Sequence, residues 1–502
     1  MRYEFNEKQF VEQDINSDKL AIAGSDCEIS WFSLQVMTER LTCILKGLNI
    51  SKGCPIIIYG HKEALFPVAI LSCIHSSTTY IPIDKIYPIE RIKKIIEITG
   101  AQVIIQCSET IPNIDIPVLI KPNLDVTNQG EIDNKNEYND FGEEILQYIM
   151  FTSGSTGEPK GVQITYSSIL NFVNWASRAF NLSSKDVFMN QAPFTFDVSL
   201  CDIINSFRLG STLVLSSTDM IKDQDFFLER LYRYKCSVWT STPSFVYMFL
   251  RNQRFNSQSI PSLTTFIFMG EDLPNRTCSK IRTIFNQSKI FNAYGPTEAT
   301  IVTTLVEIDD NVIKNYPLLP IGYPKDDSIL LIEKQNPNDK EGELIIVGDN
   351  VSIGYFKDAT LSKEKFFIHN GQRAYKTGDL AYYENDMLFC VGRNDDQIKM
   401  HGFRIELNEI SMVICENNLV TDAITVALKR NNEVKKIISF VILEENITKE
   451  NLISQLTPFL EKKLPYYMIP GDIDIVKEFP YNISHKIDKN KLIDNYLNRT
   501  LQ

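Results

Sequence analysis

Short apolar runs alternate with segments of helical periodicity through the first part of the chain. Apolar residues recur at helical spacing from Trp31 to Leu48, and an apolar run at 55–59 follows them. Buried strands separated by helices are typical of a parallel sheet with helices on its faces. The same alternation predicts helices before 80–84 and over 91–99, and strands at 80–84, 103–106, 145–151, 211–215, 237–239 and 265–269.

The pattern changes after residue 324. Residues 327–347 contain two apolar runs split by a polar turn, and 371–392 contain a second such pair, so we predict two antiparallel hairpins. The last hundred residues predict a small α+β unit: strands at 423–427 and 437–443, then a helix from Asn451 to about 464 that Pro458 kinks or restarts. We therefore predict an α/β fold with a large N-terminal domain (1–394), made of α/β subdomains and a β-barrel-like part, and a small C-terminal domain (395–502).

Composition narrows the class of protein. The chain has 502 residues, and its formal charge of 51 − 63 = −12 argues against non-specific binding to nucleic acid or membranes. The first residues lack the apolar core of a signal peptide, and no apolar run approaches the roughly 20 residues of a membrane span. We expect a cytoplasmic protein. The ten cysteines are scattered without metal-ligand spacing, so we predict that they are buried apolar side chains rather than disulfides or a zinc site.

The most informative stretch is Tyr148-Ile-Met-Phe-Thr-Ser-Gly-Ser-Thr-Gly-Glu-Pro-Lys-Gly161. After a predicted strand it gathers hydroxyl side chains, glycines and one lysine. Glycine lets the backbone approach a bulky anion, backbone N–H groups and hydroxyls donate hydrogen bonds, and Lys160 adds positive charge. An ordinary flexible turn is the alternative, but a turn needs fewer such residues. The stretch therefore predicts a loop that binds phosphate.

A second motif is Ile290-Phe-Asn-Ala-Tyr-Gly-Pro-Thr-Glu-Ala-Thr300. Here a strand runs into a tight turn that presents Thr297 and Glu298. The Tyr294 ring could cover a base, the Thr297 hydroxyl could contact phosphate, and the Glu298 carboxylate could hold Mg²⁺, which prefers carboxylate and phosphate oxygens. The alternative is a strand-to-helix turn in which Thr297 is the N-cap.

Three weaker features follow. Asp379 comes after a Gly turn and could accept ribose hydroxyls, although a plain β-turn explains Thr377-Gly-Asp379 equally well. Arg393 could donate two hydrogen bonds to hydroxyl or phosphate oxygens. Lys486 lies in a predicted turn, where a lysine is usually a solvated charge.

Taken in order, these motifs resemble the adenylate-forming superfamily, which includes acyl-CoA synthetases, luciferases and amino-acid adenylation domains. The resemblance extends from Tyr80-Ile-Pro-Ile-Asp84 to Lys486. The versions of the motifs at 190–199, 238–245 and 397–406 are most similar to those of the stand-alone D-alanine:D-alanyl carrier protein ligases. The resemblance implies a small mobile C-terminal domain that swings about a hinge at Asp395.

The resemblance also implies an ATP site with Mg²⁺. Lys486 would be the catalytic residue, because an ammonium can stabilise the negative charge that gathers when a carboxylate attacks phosphorus. The family usually has Asn-Gly before this lysine, whereas Ser484-His485 stand here. Glu298 would bind the metal, and Asp379 with Arg393 would hold the ribose. The remaining ATP contacts implied by the resemblance are Thr152, Ser153, Gly154, Ser155, Thr156, Gly157 and Lys160 for the β- and γ-phosphates, and Asn292, Ala293, Tyr294, Gly295, Pro296 and Thr297 for adenine and the α-phosphate.

Asp197 decides the substrate class under this resemblance. In the amino-acid-activating members this aspartate pairs with the substrate ammonium, while a fatty-acid enzyme has no reason to bury a carboxylate there. The alternative is that Asp197 caps the following helix. The other residues that would line the pocket are uncharged, which indicates a small or apolar side chain: Val198, Cys201, Thr240, Ile267, Met269, Ala293, Ile301 and Val302.

Met269 stands where the D-alanine ligases have a cysteine. A methionine there either shrinks the pocket toward glycine or alanine, or bends aside for a larger side chain, so the chirality of the substrate stays open. We expect a small amino acid.

These observations support one main hypothesis and two alternatives. The main hypothesis is an ATP-dependent ligase that forms an aminoacyl-adenylate and passes the acyl group to the phosphopantetheine thiol of a separate carrier protein. Lys429-Arg430 and Lys435-Lys436 are candidates for docking that acidic partner. The alternatives are an acyl-CoA synthetase for another carboxylic acid, which Asp197 argues against, and a nucleotide-binding regulator without catalysis, which Lys486 argues against.

Overall fold

A computed structural model of the protein describes residues 18–48, 50, 53–128, 144–154, 157–430, 433–443, 447–480 and 487–500. The chain divides into two compact units. The first comprises Met1–Lys85, Ile96–Phe151 and Gly161–Asn394. The second comprises Ile86–Ile95, Thr152–Lys160 and Asp395–Gln502.

Strands and helices alternate up to residue 315, and antiparallel strands follow. The strands are β1 (Leu20–Ala23), β2 (Glu28–Ser30), β3 (Ile56–Gly60), β4 (Tyr80–Asp84), β5 (Val103–Gln106), β6 (Val118–Ile120), β7 (Val126–Asn128), β8 (Leu146–Thr152), β9 (Lys160–Thr165), β10 (Val187–Asn190), β11 (Thr212–Leu215), β12 (Val238–Ser241), β13 (Thr265–Phe268), β14 (Lys289–Tyr294), β15 (Thr304–Glu307), β16 (Tyr323–Pro324), β17 (Ile329–Glu333), β18 (Gly342–Val347), β19 (Phe366–His369), β20 (Gln372–Glu384) and β21 (Met387–Arg393). The helices are α1 (Trp31–Gly47), α2 (Leu65–His75), α3 (Ile89–Thr99), α4 (Tyr166–Ala179), α5 (Asp197–Leu209), α6 (Thr218–Lys222), α7 (Gln224–Arg233), α8 (Pro243–Tyr247), α9 (Asn275–Ile284), α10 (Asp310–Asn315) and α11 (Ala359–Lys365).

Two large sheets are built mainly from parallel strands. One has the order β7-β6-β5-β3-β4-β8-β9, and the other has the order β16-β15-β14-β13-β12-β10-β11-β1-β2. In the second sheet β10, β12, β13 and β14 are parallel neighbours, so their carboxyl ends lie along one edge. Ligands of open α/β sheets bind at such an edge. The parallel sheet predicted from the alternation is confirmed.

The central strands of both sheets are buried on both faces. Ile56, Ile58 and Tyr80 of the first sheet and Phe188 and Leu213 of the second are all within 1% of full burial and belong to one hydrophobic core. Each Val, Ile, Leu or Phe side chain buried in this way stabilises the fold by about 1.5–3 kcal/mol. Strands that are apolar throughout, rather than alternating, are the expected result of helices covering both faces.

The two predicted hairpins are confirmed as antiparallel pairs. Strand β17 pairs with β18, and β20 pairs with β21. These strands and β19 form a five-stranded sheet, which is the part predicted as β-barrel-like. Its register pairs Asp379 with Arg393.

The second unit contains the remaining elements and is α+β, as predicted for the C-terminal part. Its strands are β22 (Gln397–Met400), β23 (Phe403–Glu406), β24 (Val420–Arg430), β25 (Glu433–Leu443) and β26 (Asp472–Ile475), and its helices are α12 (Leu407–Cys415), α13 (Lys449–Lys463) and α14 (Lys489–Thr500). The Thr448 side chain caps α13 by accepting from the Asn451 N–H at 3.3 Å. The prediction that α13 restarts at Pro458 is wrong, since the helix is continuous through this residue.

The prediction for the cysteines is partly wrong. All ten are free thiols within the described ranges, and no cluster of His, Cys, Asp and Glu among the described residues could hold a metal ion. Cys27, Cys43 and Cys415, however, are exposed rather than buried. A scattered cysteine on a helix or turn carries no local signal of which face it occupies.

Candidate functional site

Thr152 to Lys160, which we call the glycine-rich loop, leaves the carboxyl end of β8. An added Cβ atom on Gly154 would lie 1.9 Å from the Glu158 carbonyl oxygen, so no side chain fits there. Gly157 has a φ of +81°, which favours glycine. The Thr152 hydroxyl is buried and has no hydrogen-bond partner among the described residues. Ser155 and Thr156, two of the predicted phosphate contacts, lie outside the described residues.

The backbone and hydroxyl donors of this loop meet the segment 403–409 of the second unit. The Ser153 hydroxyl donates to the Arg404 carbonyl oxygen at 2.9 Å and accepts from the Glu406 N–H at 3.2 Å. The Gly154 N–H donates to Glu409 Oε2 at 3.0 Å. A carboxylate thus occupies a backbone donor of the loop, which demonstrates that this N–H can bind an anionic oxygen.

Two further charge pairs surround the loop within the second unit. Lys160 Nζ lies 3.5 Å from Glu406 Oε1, and Arg91 Nη1 lies 2.7 Å from Glu409 Oε1. Burial raises the pKa of Glu409, although Arg91 and the Gly154 N–H oppose the shift. A phosphate group that used Lys160 and the Gly154 N–H would compete with both carboxylates. Neither Glu406 nor Glu409 was predicted to contact the loop, because nothing in the sequence around them indicates this contact.

Tyr294, Asp379 and Arg393 form a buried charge cluster in the first unit. The Tyr294 hydroxyl donates to Asp379 Oδ2 at 2.5 Å, and Arg393 Nη1 donates to Asp379 Oδ1 at 2.6 Å. Burial and then the Asp379 charge raise the pKa of Tyr294 well above its usual range, so its hydroxyl remains a donor. A carboxylate offers about four acceptor positions, so two remain on Asp379 for ligand hydroxyls.

The turn after β14 carries the rest of the second motif. Asn292 is on β14 and donates through its amide to the Pro320 carbonyl oxygen at 2.8 Å. An added Cβ on Gly295 would lie 2.6 Å from the Ile301 carbonyl oxygen, so the turn needs glycine. Thr297 is the first residue of a short 3₁₀ helix, and Pro296 is its N-cap. The alternative in which Thr297 is the N-cap is therefore wrong.

Glu298 is fully buried beside this turn. Its Oε1 accepts a hydrogen bond from the Tyr355 hydroxyl at 2.8 Å. A single buried carboxylate fits Mg²⁺, which takes one or two protein carboxylates and completes its shell with water and phosphate oxygens. The donor set present is thus compatible with the predicted metal.

The two residues that directly follow the 3₁₀ helix have a strained backbone. Thr300 and Ile301 have φ values of +56° and +68°, which are rare for β-branched residues and which cluster at functional sites. Asn350 stabilises this conformation: its side-chain amide donates to the Ala299 carbonyl oxygen at 3.0 Å, and its backbone carbonyl oxygen accepts from the Thr300 hydroxyl at 2.6 Å. The sequence analysis did not identify Asn350, since it lies outside every motif.

Asp197 is the first residue of α5, and the N-cap is Phe196, whose side chain makes no capping bond. The alternative in which Asp197 caps this helix is therefore wrong. Its charge lies close enough to Tyr148 and Cys201 to raise the pKa of both groups, with burial as the larger cause. The carboxylate thus faces the interior rather than solvent alone, at the edge where β10 ends.

The predicted pocket residues come together around this helix. Thr240 is on β12, Ile267 is on β13, and Met269 follows β13 directly. Thr240 and Ile267 are paired across adjacent strands. Apart from Val198, which is partly exposed, the predicted members are at least 97% buried: Cys201, Thr240, Ile267, Met269, Ala293, Ile301 and Val302.

The last two predicted residues, Asp395 and Lys486, follow residue 394 in the sequence. The Asp395 carboxylate, at the predicted hinge, accepts from the Gln397 N–H at 3.3 Å. Lys486, the predicted catalytic lysine, lies outside the described residues. Among the described residues, none of the helices combines the length and apolar character needed to span a membrane.

Comparisons with known proteins agree with this geometry. A family model described as AMP-binding enzyme matches residues 11–356. A protein from Bacillus anthracis (strain A0248) named "D-alanine--D-alanyl carrier protein ligase" is 37% identical over 485 residues, which are 95% of this chain and 96% of that protein. A protein of the same name from Bacillus cereus (strain Q1) is 37% identical over 486 residues, with the same coverage.

Solved structures are similar in fold. The Vibrio cholerae adenylation domain AlmE, in complex with glycyl-adenosine-5'-phosphate, has a TM-score of 0.80 at 22% identity and covers 96% of this chain and 95% of its own. The o-succinylbenzoate CoA synthetase from Bacillus subtilis has a TM-score of 0.80 at 19% identity, with 97% of each chain covered. Since the family match and the relatives together cover nearly the whole chain, the protein belongs to the AMP-binding enzyme family and is an adenylate-forming ligase.

Proposed function

We propose that this ligase activates a small amino acid with ATP and transfers it to a carrier protein. In the first step the substrate carboxylate attacks the α-phosphate, and aminoacyl-adenylate and pyrophosphate form. In the second step a phosphopantetheine thiol of a separate carrier protein attacks the acyl carbon, and AMP leaves. D-Alanine is the first candidate, because the two Bacillus relatives are named as ligases for it. Glycine is the next candidate, because the AlmE structure holds glycyl-adenosine-5'-phosphate.

The main observation behind this proposal is that Asp197 is the first residue of α5. Asp197 does not cap this helix, and the other predicted pocket residues are uncharged. A carboxylate beside such a pocket is suited to pair with a cation, and the ammonium of an amino acid is such a cation. A fatty or aryl acid offers no cation. Met269 is 98% buried in the cluster, and we expect its length to restrict the pocket to a small side chain.

We assign the remaining roles on the same basis. The glycine-rich loop would hold the β- and γ-phosphates, Asn292 to Thr297 the adenine and α-phosphate, and Asp379 with Arg393 the ribose hydroxyls. Glu298 would hold Mg²⁺, which neutralises phosphate charge when it is bound. Lys486 would stabilise the transition state, and Asp395 would be the hinge of a small domain at 395–502.

Exchange of pyrophosphate into ATP tests the first step. We expect exchange with D-alanine or glycine in a panel of D- and L-amino acids and carboxylic acids. Asp197→Ala should lower kcat/KM for the amino acid by more than about 100-fold, since truncating one partner of a buried charge pair costs several kcal/mol. Asp219→Ala, which removes an exposed aspartate, is the control.

Two outcomes would contradict the proposal. Exchange that requires a carboxylic acid without an amine would favour the acyl-CoA synthetase alternative, and loading of free CoA instead of a carrier protein would confirm that alternative. Exchange that survives in Asp197→Ala would remove the role given to this residue.

A further inference from the structure

A fully buried lysine lies outside every motif that the function uses. Lys62 follows β3 and precedes α2, and its side chain has no exposed surface. Burial lowers the pKa of Lys62 to about 7, although nearby carboxylates oppose the shift. An ammonium in the interior is expensive, and a hydrophobic side chain of similar volume would usually be as stable or more stable there. The lysine therefore needs a reason beyond packing.

Among the described residues, the Lys62 amine donates its hydrogen bonds to one segment of chain. Its Nζ donates to Asn190 Oδ1 at 2.5 Å and to the Ala192 carbonyl oxygen at 2.5 Å. The same atom lies 4.1 Å from the centre of the Phe194 ring, which is a cation–π contact. These three residues belong to the connection 190–196, which joins the end of β10 to Asp197 at the start of α5.

Asn190 extends these contacts to α5 itself. Its amide nitrogen donates to the Ser199 carbonyl oxygen at 2.9 Å and to Asp202 Oδ2 at 3.0 Å. The amide oxygen faces the Lys62 amine and the amide nitrogen faces the Asp202 carboxylate, so the amide is fixed in one orientation. Lys62, Asn190 and Asp202 thus form a buried chain of hydrogen bonds. Asn190 precedes Asp197 in the sequence, and Asp202 follows it.

Other groups around Lys62 fix it in place. Glu63 in its own loop and Asp84 at the end of β4 attract its charge. The neighbouring His61 lies 2.8 Å from Asp84 through Nδ1, and its Nε2 accepts from the Thr218 N–H at 3.2 Å. The loop that carries Lys62 is therefore anchored independently of the 190–196 connection, and Lys62 is the side chain that links the two.

We propose that Lys62 is a positioning residue for the amino acid, because it holds the 190–196 connection where Asp197 can meet the substrate ammonium. The inference rests on the proposed function, since it presupposes that Asp197 binds an amine. Lys62 does not contact the substrate in this view. It fixes the backbone that leads into the binding residue, and small displacements of such a residue cost large factors in binding.

The test compares Lys62→Met with Lys325→Met in the full chain. Methionine matches lysine in length and removes the amine. Lys325 is a matched control, because its side chain is also 99% buried and donates to Asn171 and Asp327 instead of the 190–196 connection. The readouts are kcat, the KM for the amino acid and the KM for ATP in pyrophosphate exchange, with the thermal unfolding midpoint of each variant.

We expect Lys62→Met to raise the KM for the amino acid by about tenfold or more, with kcat and the KM for ATP changed by less than about threefold. Lys325→Met should leave the KM for the amino acid at the wild-type value. Equal increases of both KM values, or a loss confined to the unfolding midpoint, would mean a purely structural role and would overturn the inference. An unchanged KM in Lys62→Met would overturn it as well.

The failure of the proposed function is a separate result. If the wild-type enzyme shows no exchange dependent on an amino acid, the proposed substrate class is wrong and the role of Lys62 falls with it. If the wild-type enzyme exchanges and only the Lys62 prediction fails, the proposed function stands.

Discussion

The glycine-rich loop and the cluster around Asp197 are built in different ways. The loop is nine consecutive residues, Thr152 to Lys160, and its anion donors are backbone N–H groups, hydroxyls and one lysine. The cluster gathers α5, the ends of β12, β13 and β14, and the strained residues after them. In the proposed function the loop would provide donors for phosphate, whereas the cluster would present one carboxylate to a cation. A contiguous motif would then bind the phosphates, and residues brought together by long-range packing would select the acid.

The largest effect should come from adding a side chain to the glycine-rich loop at Gly154. Gly154→Ala places a Cβ atom 1.9 Å from the Glu158 carbonyl oxygen, so the loop cannot keep its conformation. We expect pyrophosphate exchange to fall by more than about 100-fold. An added Cβ on Gly47 meets no atom within 4 Å, so Gly47→Ala is the control. Exchange above about a tenth of wild type in Gly154→Ala would mean that the loop tolerates a side chain and that its local design matters less than we infer.

A smaller effect tests whether residues that are distant in sequence also contribute to nucleotide binding. Tyr294→Phe removes the hydroxyl that donates to Asp379 at 2.5 Å, a contact between residues 85 positions apart. A hydrogen bond to a buried charge contributes about 1.5–3 kcal/mol. The KM for ATP should therefore rise about tenfold or more, while the KM for the amino acid stays unchanged. Tyr383→Phe, an exposed residue on the same strand as Asp379, is the control. A rise in the KM for the amino acid would contradict the separation of nucleotide binding and amino-acid binding between the two regions.

The same distinction explains how much could be predicted from the sequence. The parallel strands, the hairpins and the loop follow from periods and compositions that are visible within ten or fifteen residues. The role proposed for Asp197 needed the family resemblance, because an aspartate before a helix could equally be its cap, and only the structure shows that the helix starts at Asp197 itself.

The residues that the sequence analysis missed act over long separations. Asn350 forms hydrogen bonds with Ala299 and Thr300, and Glu409 accepts one from Gly154. Lys62 donates hydrogen bonds to Asn190 and Ala192. In the sequence Lys62 is one polar residue between two apolar runs, and its burial is seen only in the structure. The signal that existed was a lysine between an apolar strand and the apolar helix α2, a place where burial is expected and a charge is unusual.

The smallest predicted effect is a pH dependence confined to amino-acid binding. Burial lowers the pKa of Lys62 from 10.5 to about 7, so the side chain is an ammonium below pH 7 and a neutral amine above it. The neutral amine still donates to Asn190 and Ala192 but loses its attraction to Asp84 and Glu63 and its cation–π contact with the ring of Phe194.

The KM for the amino acid should therefore rise by about two- to threefold as the pH increases from 6 to 8, because charged hydrogen bonds and cation–π contacts exceed their neutral forms by a few tenths of a kcal/mol or more. The KM for ATP should not follow this change. Burial also raises the pKa of Asp202 to about 7, so Asp202 titrates in this range in both proteins, and only the Lys62 amine is absent from Lys62→Met. The ratio of the variant KM to the wild-type KM should therefore be larger at pH 6 than at pH 8. An equal ratio at both pH values would assign the pH dependence to the substrate or to other groups, and it would leave the cluster around Asp197 independent of the buried lysine.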